Sequence, residues 1–211
     1  MLRISLNQAA KRYHLEWVFK SLDLELKTGD ALAVTGPNGS GKSTLLKCIS
    51  GVLPLTQGEI AYFRKGQPLE EGDFFKHLSF SAPYMELPEE FTLVELLAFH
   101  FKFKSPQAGI SIEQMIQMMV LEKARHKAIS NFSSGMKQRL KLGLCFYADN
   151  PLLLLDEPTS NLDQAGVDWY LNTVNEFGKN KIMVVCSNDP REYGFCNQFL
   201  NMDDYKVKAR L

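Results

Sequence analysis

The sequence predicts an α/β fold whose sheet is mostly parallel and flanked by helices. Three short apolar runs, "ALAVTG" (31–36), "PLLLLD" (151–156) and "KIMVVC" (181–186), have the length and composition of strands buried on both faces. Helical patterns lie between these runs, and the longest of them is "QAGVDWYLNTVNEF" (164–177). Because strands that alternate with helices form parallel sheets, this order indicates an α/β architecture. A length of 211 residues fits one domain.

The first part of the chain contains further strand candidates. "LDLELKTGD" (22–30) alternates leucine with charged residues, as a half-buried strand does, and ends in a turn at Gly29 and Asp30. "EIAYF" (59–63) and "HLSFS" (77–81) are two more short strands. We therefore expect several strands before residue 82, in addition to the buried run at 31–36.

The middle of the chain is helical. Thr92 and Glu95 form a T-x-x-E capping box, and Ser111 with Gln114 repeats the pattern. A loop rich in helix-breaking residues, "KSPQAG" (104–109), separates the two helices. The three methionines of the second helix favour core packing over a binding groove. We therefore expect a small helical subdomain at 83–129, between α/β core segments at 1–82 and 130–211.

The overall composition argues against several classes of function. Lysine plus arginine and aspartate plus glutamate number 24 each, so no net positive charge indicates a nucleic-acid partner. The four cysteines are scattered without metal-ligand spacing, which indicates reduced thiols in a cytosolic protein. No apolar run approaches the roughly 18 residues of a membrane span, and the first 16 residues lack the apolar stretch of a signal peptide. A role at a membrane would therefore require a span on another chain.

The segment "GPNGSGKST" (36–44) has the pattern G-x-x-x-x-G-K-[ST] between a buried strand and a helix. Its glycines let the backbone curve around an anion, and the helix that follows adds a partial positive charge. Lys42 can reach the β- and γ-phosphates of a nucleotide, and the Ser43 hydroxyl can bind Mg²⁺. The predicted nucleotide-binding residues of this phosphate loop are Gly36, Asn38, Gly39, Ser40, Gly41, Lys42, Ser43 and Thr44.

Two carboxylates follow the most apolar strand candidate. A phosphate loop requires a carboxylate that orders the metal, and Asp156 stands at the end of a buried strand, where it can do so. Glu157 can orient or deprotonate an attacking water. The structural alternative is a pair of acidic residues that cap a turn before Pro158. The phosphate loop favours the catalytic interpretation.

Four segments together resemble the ATP-binding-cassette (ABC) ATPases: "GPNGSGKST", "NFSSGMKQRL" (131–140), "LLLLDEPTSNLD" (152–163) and "IMVVCSND" (182–189). They occur in that family's order, and the resemblance runs from about Leu2 to Lys206. It implies a single P-loop NTPase domain of ABC type over 1–211. It also implies an N-terminal antiparallel β portion and a helical subdomain that ends at the helix of "NFSSGMKQRL".

The resemblance gives "NFSSGMKQRL" a function that its residues alone do not reveal, since serine and glycine simply start helices. In the family, two copies pair head to tail, and this helix start closes over the partner's ATP. Ser133 and the backbone around Gly135 would then donate hydrogen bonds to the partner's γ-phosphate, because a helix N-terminus suits an anion. Small residues would keep the two faces close. Asn161 and Asp163 would lie along the same interface.

Tyr13 is the candidate to stack on the adenine ring, with Trp17 as the alternative. A surface aromatic without a ligand is the structural interpretation of Tyr13.

The sequence departs from the family at three places. Asn188 stands where the family usually has a histidine that contacts the γ-phosphate, and asparagine can donate a hydrogen bond but carries no charge and shuttles no proton. Because a lost preorganised donor costs on the order of 10²–10³ in rate, we expect slowed hydrolysis rather than none. The usual glutamine is absent near 82–83, and Glu86 is a weak substitute. Ser134 and Met136 also replace the usual residues of "FSSGM".

The sequence therefore predicts an ATPase subunit of a transporter that uses ATP and Mg²⁺ and pairs with a second copy of itself. Its other expected partner is a transmembrane permease subunit on a separate chain, which would place it at the inner face of the cell membrane. The segments "FTLVELLAFHFKF" (91–103) and "SAPYMEL" (81–87) are a docking face or, equally, a buried packing surface. A cassette that binds ATP without hydrolysis and a soluble ABC protein outside transport are the alternatives.

Overall fold

The computed structural model describes residues 1–207, apart from the side chain of residue 71, and contains two sheets with helices around them. The last four residues of the predicted 1–211 domain lie outside the described residues. The strands are β1 (Leu2–Tyr13), β2 (Glu16–Lys27), β3 (Ala31–Thr35), β4 (Gln57–Arg64), β5 (Gln67–Pro68), β6 (Leu78–Ser81), β7 (Leu152–Asp156), β8 (Ile182–Cys186) and β9 (Gln198–Asn201). The α-helices are α1 (Lys42–Ile49), α2 (Glu71–Phe74), α3 (Leu93–His100), α4 (Ile112–Met118), α5 (Ser134–Phe146), α6 (Gln164–Phe177) and α7 (Pro190–Tyr193).

One sheet is parallel throughout, with the strand order β6-β7-β8-β3-β9. The three apolar runs of the sequence are its strands β3, β7 and β8, and every residue of β7 and β8 is buried. Such burial is expected of parallel strands that helices cover on both faces. The predicted α/β fold with a mostly parallel sheet is confirmed.

The other sheet is antiparallel, with the order β2-β1-β4-β5, which confirms the antiparallel β portion. Its strand β1 was not predicted, because bulges interrupt its alternation between Leu6 and Ala9. Gln8 at this bulge has a φ of +47°. A side chain at Gly58 would place Cβ 2.3 Å from the Gln8 carbonyl oxygen, so glycine lets β4 approach the bulge.

The helical segment between β6 and β7 starts its helices as predicted. Both capping boxes are present, at the starts of α3 and α4. Met115 and Met119 are buried, which confirms core packing over a groove. A Cβ at Gly143 of α5 would lie 2.3 Å from Met119 Sδ, so the absence of a side chain there lets α5 pack against α4. The separate subdomain boundaries at 83–129 stay a prediction.

The parallel sheet decides where the functional segments meet. Asp156 at the end of β7 pairs with Cys186 at the end of β8, and Val34 near the end of β3 also pairs with Cys186. The carboxyl ends of these strands therefore lie together, at the edge where α/β sheets bind ligands. No helix among residues 1–207 is both long and apolar enough to cross a bilayer.

Candidate nucleotide-binding site

The phosphate loop (36–44) joins β3 to α1 and adopts a backbone that needs glycine. Gly36, Gly39 and Gly41 have φ values of +133°, +78° and +103°, in the left-handed region. A Cβ at Gly41 would lie 2.3 Å from Val18 Cγ1, so the loop packs directly against β2. A side chain at this point would displace the loop.

Two polar groups inside the loop fit a polyphosphate. The buried Lys42 ammonium donates hydrogen bonds to the carbonyl oxygens of Gly36 (2.5 Å) and Pro37 (3.2 Å), so it lies within the curve of the loop. Ser40 is 1% exposed, and its hydroxyl has no hydrogen-bond partner among the described residues. Because a buried polar group without a partner is unfavourable by about 1–3 kcal/mol, an anion that accepts its hydrogen bond would be stabilised here.

Ser43 and Asp156 form the predicted metal site. Asp156 is 3% exposed, and its carboxylate lies near the Ser43 hydroxyl. Burial raises the pKa of Asp156, and the nearby Ser43 hydroxyl opposes that rise. Residues 1–207 contain no cluster of three or more His, Cys, Asp or Glu that could hold a metal. The donor set fits Mg²⁺, which uses one or two carboxylates with phosphate oxygens and water.

Glu157 lies between two cavities. One cavity, of about 430 Å³, is lined by the phosphate loop and Tyr13. The other, of about 400 Å³, is lined in part by Asn38 and Asn188. The exposed Glu157 has a φ of +44°, and its backbone N–H donates to the Cys186 carbonyl oxygen at 2.9 Å. The strand edge and this unusual backbone place the carboxylate beside the phosphate loop.

Asn188 follows β8 and reaches the phosphate loop. Its Nδ2 donates a hydrogen bond to Asn38 Oδ1 at 3.1 Å, and both residues are exposed. The structure therefore brings Asn188 to the loop that would hold the γ-phosphate.

The aromatic candidates for adenine differ in position. Tyr13 lines the cavity of the phosphate loop, and its ring lies 5.3 Å from the Lys11 ammonium. Trp17 does not line that cavity; its ring lies 5.2 Å from the Arg12 guanidinium and 5.1 Å from the Lys20 ammonium. The geometry favours Tyr13, whose role stays a prediction.

The helix α5, here named the signature helix, begins at the surface of the protein. Ser133 and Gly135 line neither cavity. Ser133 is exposed and caps the helix, since its hydroxyl accepts a hydrogen bond from the Met136 N–H at 3.3 Å. A Cβ at Gly135 would lie 3.1 Å from the Asn161 carbonyl oxygen of the same chain. Close packing within the same chain therefore also favours glycine at position 135, in addition to any contact with a partner. Sequence reasoning missed this packing.

Asp163 also has a role within the chain. Its carboxylate caps α6 by accepting a hydrogen bond from the Gly166 N–H at 2.8 Å. Asn161, with a φ of +65°, lies exposed next to the start of the signature helix.

Tyr84 is a neighbour of the candidate site that sequence reasoning missed. Its side chain, which is 50% exposed, lies near the Asp156 carboxylate, and partial burial together with the charge of Asp156 raises the pKa of Tyr84. The Lys47 ammonium lies 4.2 Å from the centre of its ring. Glu86, the suggested substitute for the missing glutamine, is exposed and lines neither cavity. An aromatic residue just after the edge strand β6 was the available signal.

Curated relatives of this chain are ATP-binding proteins of transport systems. It is 28% identical over 184 residues to the cytochrome c biogenesis ATP-binding export protein CcmA of Agrobacterium fabrum, covering 83% of this chain and 84% of that protein. The CcmA of Mesorhizobium japonicum is 34% identical over 71% of this chain and 73% of its own length. Against the uncharacterized ABC transporter ATP-binding protein YcbN of Bacillus subtilis, the identity is 29% over 78% of this chain, which spans about half (53%) of that protein.

Solved structures show the same fold. A putative ABC transporter ATP-binding protein from Pyrococcus furiosus has a TM-score of 0.81 at 21% identity, over 97% of this chain and 100% of that one. The ATP-binding cassette MJ0796, in a dimeric post-hydrolysis state with ADP and Pi, has a TM-score of 0.78 at 22% identity, over 96% and 94%. A family model described as ABC transporter matches residues 19–160, which is more than half of the chain. The chain therefore belongs to the ABC transporter family, as an ATP-binding subunit.

Proposed function

We propose that this protein hydrolyses ATP to power a transporter, through two copies that close head to tail on two nucleotides. The observation that carries the proposal is the meeting of the phosphate loop, Asp156, Glu157 and Asn188 at one edge of the parallel sheet. The dimeric post-hydrolysis structure of a protein with the same fold supports it.

Within one chain, each group has a distinct task. Lys42 and the loop N–H groups bind the phosphates, and Ser43 with Asp156 would hold Mg²⁺. When bound, Mg²⁺ neutralises charge that develops on the β- and γ-phosphate oxygens. Glu157 orients the attacking water and accepts its proton. Asn188 donates a hydrogen bond to the γ-phosphate but takes up no proton, so hydrolysis is slow.

The signature helix acts on the nucleotide of the partner. Ser133 and Gly135 do not line the cavity of their own phosphate loop, and the N-terminus of a 13-residue helix presents N–H groups suited to a phosphate. A second copy in head-to-tail orientation would bring these groups to the γ-phosphate.

An exposed aromatic surface supports docking to a transmembrane permease. The rings of Phe91 and Phe99 lie 5.5 Å apart, and those of Phe99 and Phe103 lie 5.2 Å apart. Phe99 is 45% exposed and Phe103 is 72% exposed. Met85, in the neighbouring "SAPYMEL" segment, is also exposed. Because contiguous apolar surface often marks an interface, we place the permease here, at the inner face of the membrane.

A cassette that binds ATP and dimerises without hydrolysis is the second candidate. Asn188 and the absence of the usual glutamine favour it, whereas Glu157 at the phosphate loop opposes it. The charge balance of 24 and 24 argues against a soluble nucleic-acid role.

Steady-state ATPase activity with Mg²⁺ separates the two candidates, with wild type, Glu157→Gln and Asn188→His compared over a range of protein concentrations. We expect wild-type turnover that rises more than linearly with concentration, loss of turnover in Glu157→Gln and faster turnover in Asn188→His. A wild type no faster than Glu157→Gln, with ATP-driven dimerisation intact, would instead identify the non-hydrolysing cassette.

A further inference from the structure

The residues after Glu157 form a turn, here named the catalytic turn (157–162), that is held by a buried glutamate from another segment. Glu192 of α7 is 4% exposed, and its Oε1 accepts a hydrogen bond from the Thr159 N–H at 2.7 Å and another from the Thr159 hydroxyl. The Glu192 backbone carbonyl accepts a further hydrogen bond from the buried Tyr170 hydroxyl at 2.9 Å. Glu192 is therefore fixed at both its main chain and its carboxylate.

The same turn is held from its other side by the signature helix. Gln138, which is 2% exposed, donates from Nε2 to the Pro158 carbonyl oxygen at 2.7 Å. One turn earlier on this helix, Gly135 faces the Asn161 carbonyl oxygen so closely that a Cβ would lie at 3.1 Å. The catalytic turn thus lies between the signature helix and α7.

The backbone of the turn needs this support. Glu157 and Asn161 both have positive φ values, +44° and +65°, which are unfavourable for residues other than glycine. Inside the turn, the Ser160 N–H donates to Glu157 O at 3.1 Å and the Leu162 N–H donates to Thr159 O at 2.9 Å. Strained conformations persist where the surrounding structure determines them, and here Glu192 and Gln138 supply those contacts.

We propose that Glu192 and Gln138 are positioning residues that set the catalytic turn against both the Asn188 loop and the signature helix. Glu192 lies four residues after Asn188, so its hydrogen bonds to Thr159 fix the distance between Glu157 and Asn188. Gln138 lies on the helix whose start would contact the partner's nucleotide, so a shift of that helix reaches the turn beside Glu157. This inference rests on the proposed hydrolysis, since it assigns residues that align the groups acting on water and the γ-phosphate.

The first test compares Glu192→Leu with Glu192→Gln in the full-length protein. Leucine removes the acceptor, whereas glutamine keeps a carbonyl oxygen for both hydrogen bonds of Thr159. We expect kcat to fall by about tenfold to a hundredfold in Glu192→Leu with KM for ATP within about twofold, because the phosphate loop is untouched. Glu192→Gln should keep most of the wild-type kcat. Glu176→Gln, at an exposed glutamate of α6, is the matched control and should leave kcat unchanged.

Two further variants cover a folding failure of Glu192→Leu. Thr159→Val removes only the hydroxyl donor, and Gln138→Leu removes the bond to Pro158; both should lower kcat without an equal change in KM. Normal kcat in folded Glu192→Leu, or in both Thr159→Val and Gln138→Leu, overturns the proposal. Equal loss in Glu192→Gln and Glu192→Leu does so too, because the acceptor would then not matter. A wild type no faster than Glu157→Gln defeats the proposed hydrolysis, and this inference with it.

Discussion

Four helices of this protein, α1, α3, α4 and α5, begin in different ways. In the helical segment, α3 and α4 each start with a complete capping box. The side chains of Glu95 and Gln114 accept hydrogen bonds from the backbone N–H groups of the N-cap residues Thr92 and Ser111. The helix α1 has Gly41 as its N-cap, with no capping side chain and no acidic residue in its first turn. The signature helix keeps its Ser133 cap but also has no acidic residue in its first turn.

The difference shows which helix starts remain available to an anion. The first four N–H groups of a helix have no partner within the helix, and a capping box fills two of them. An acidic side chain also neutralises the positive end of the helix dipole. At α1, and in part at the signature helix, these groups stay free for an outside acceptor. Among these four helices, the capping boxes of α3 and α4 thus distinguish them from the two helices whose starts are proposed to bind phosphate.

Removing the positive charge of Lys42, at the start of α1, should have the largest effect. In Lys42→Ala we expect the affinity for Mg·ATP to fall at least about tenfold, since charge-assisted hydrogen bonds are strong, and kcat to fall on the order of 10²–10³-fold. Equilibrium binding of a fluorescent ATP analogue and steady-state ATPase activity measure the two effects. Lys27→Ala, an exposed lysine of β2, is the control and should change neither quantity. Undiminished binding in Lys42→Ala would contradict the assignment of the loop.

A second prediction compares the N-cap of the signature helix, Ser133, with the N-cap of α3, Thr92. Ser133→Ala and Thr92→Ala each remove an N-cap and should each cost about 1 kcal/mol of stability. Only Ser133→Ala should also lower ATPase activity, by about tenfold, because one donor to the partner's phosphate is lost. Thermal unfolding and ATPase activity are measured on both variants.

An equal loss of activity in Thr92→Ala would contradict a nucleotide-binding role that is specific to the Ser133 cap. Stability of the helical segment alone would then explain the effect of Ser133→Ala.

Features that depend on neighbouring residues were predictable from the sequence. The capping boxes need residues three positions apart, and the phosphate-loop pattern needs eight consecutive residues between a strand and a helix. The three buried strands were recognisable because central parallel strands are almost wholly apolar. Each of these signals lies within one short segment.

Features that depend on tertiary contacts were not predictable. Strand β1 was not predicted because its bulges break the alternation of buried and exposed residues on which strand prediction relies. Tyr84 meets Asp156 only because β6 and β7 are neighbours in the sheet. The hydrogen bonds from Thr159 to Glu192 join residues 33 positions apart. No periodicity or local motif records such a contact.

A methyl group at Gly135 tests the close approach of the signature helix to the catalytic turn. The new Cβ in Gly135→Ala would lie 3.1 Å from Asn161 O, so the turn must move by a few tenths of an ångström. Alanine is favoured over glycine in a helix by roughly 0.5–1 kcal/mol, which should offset most of the strain in the unfolding free energy. We expect kcat to fall roughly threefold with little change in Tm. Ser134→Ala, at the adjacent exposed position, should retain the wild-type kcat; a similar fall there would show that the contact with Asn161 is not the cause.

The smallest expected effect comes from removal of the Ser40 hydroxyl. Whether the stability of the protein rises or falls is informative. Ser40→Ala removes a buried hydroxyl that has no partner within the described residues, so the free protein should become more stable by about 1 kcal/mol. The affinity for ATP should fall roughly threefold to tenfold, because a donor to phosphate is lost. Ser50→Ala is the matched control, since Ser50 is also buried and its hydroxyl donates to the Lys47 carbonyl oxygen at 2.8 Å, and this variant should lose stability. Thermal unfolding with and without ATP measures both effects. If Ser40→Ala is destabilised as Ser50→Ala is, the Ser40 hydroxyl has a partner within the protein, and the phosphate loop has one donor fewer for the nucleotide.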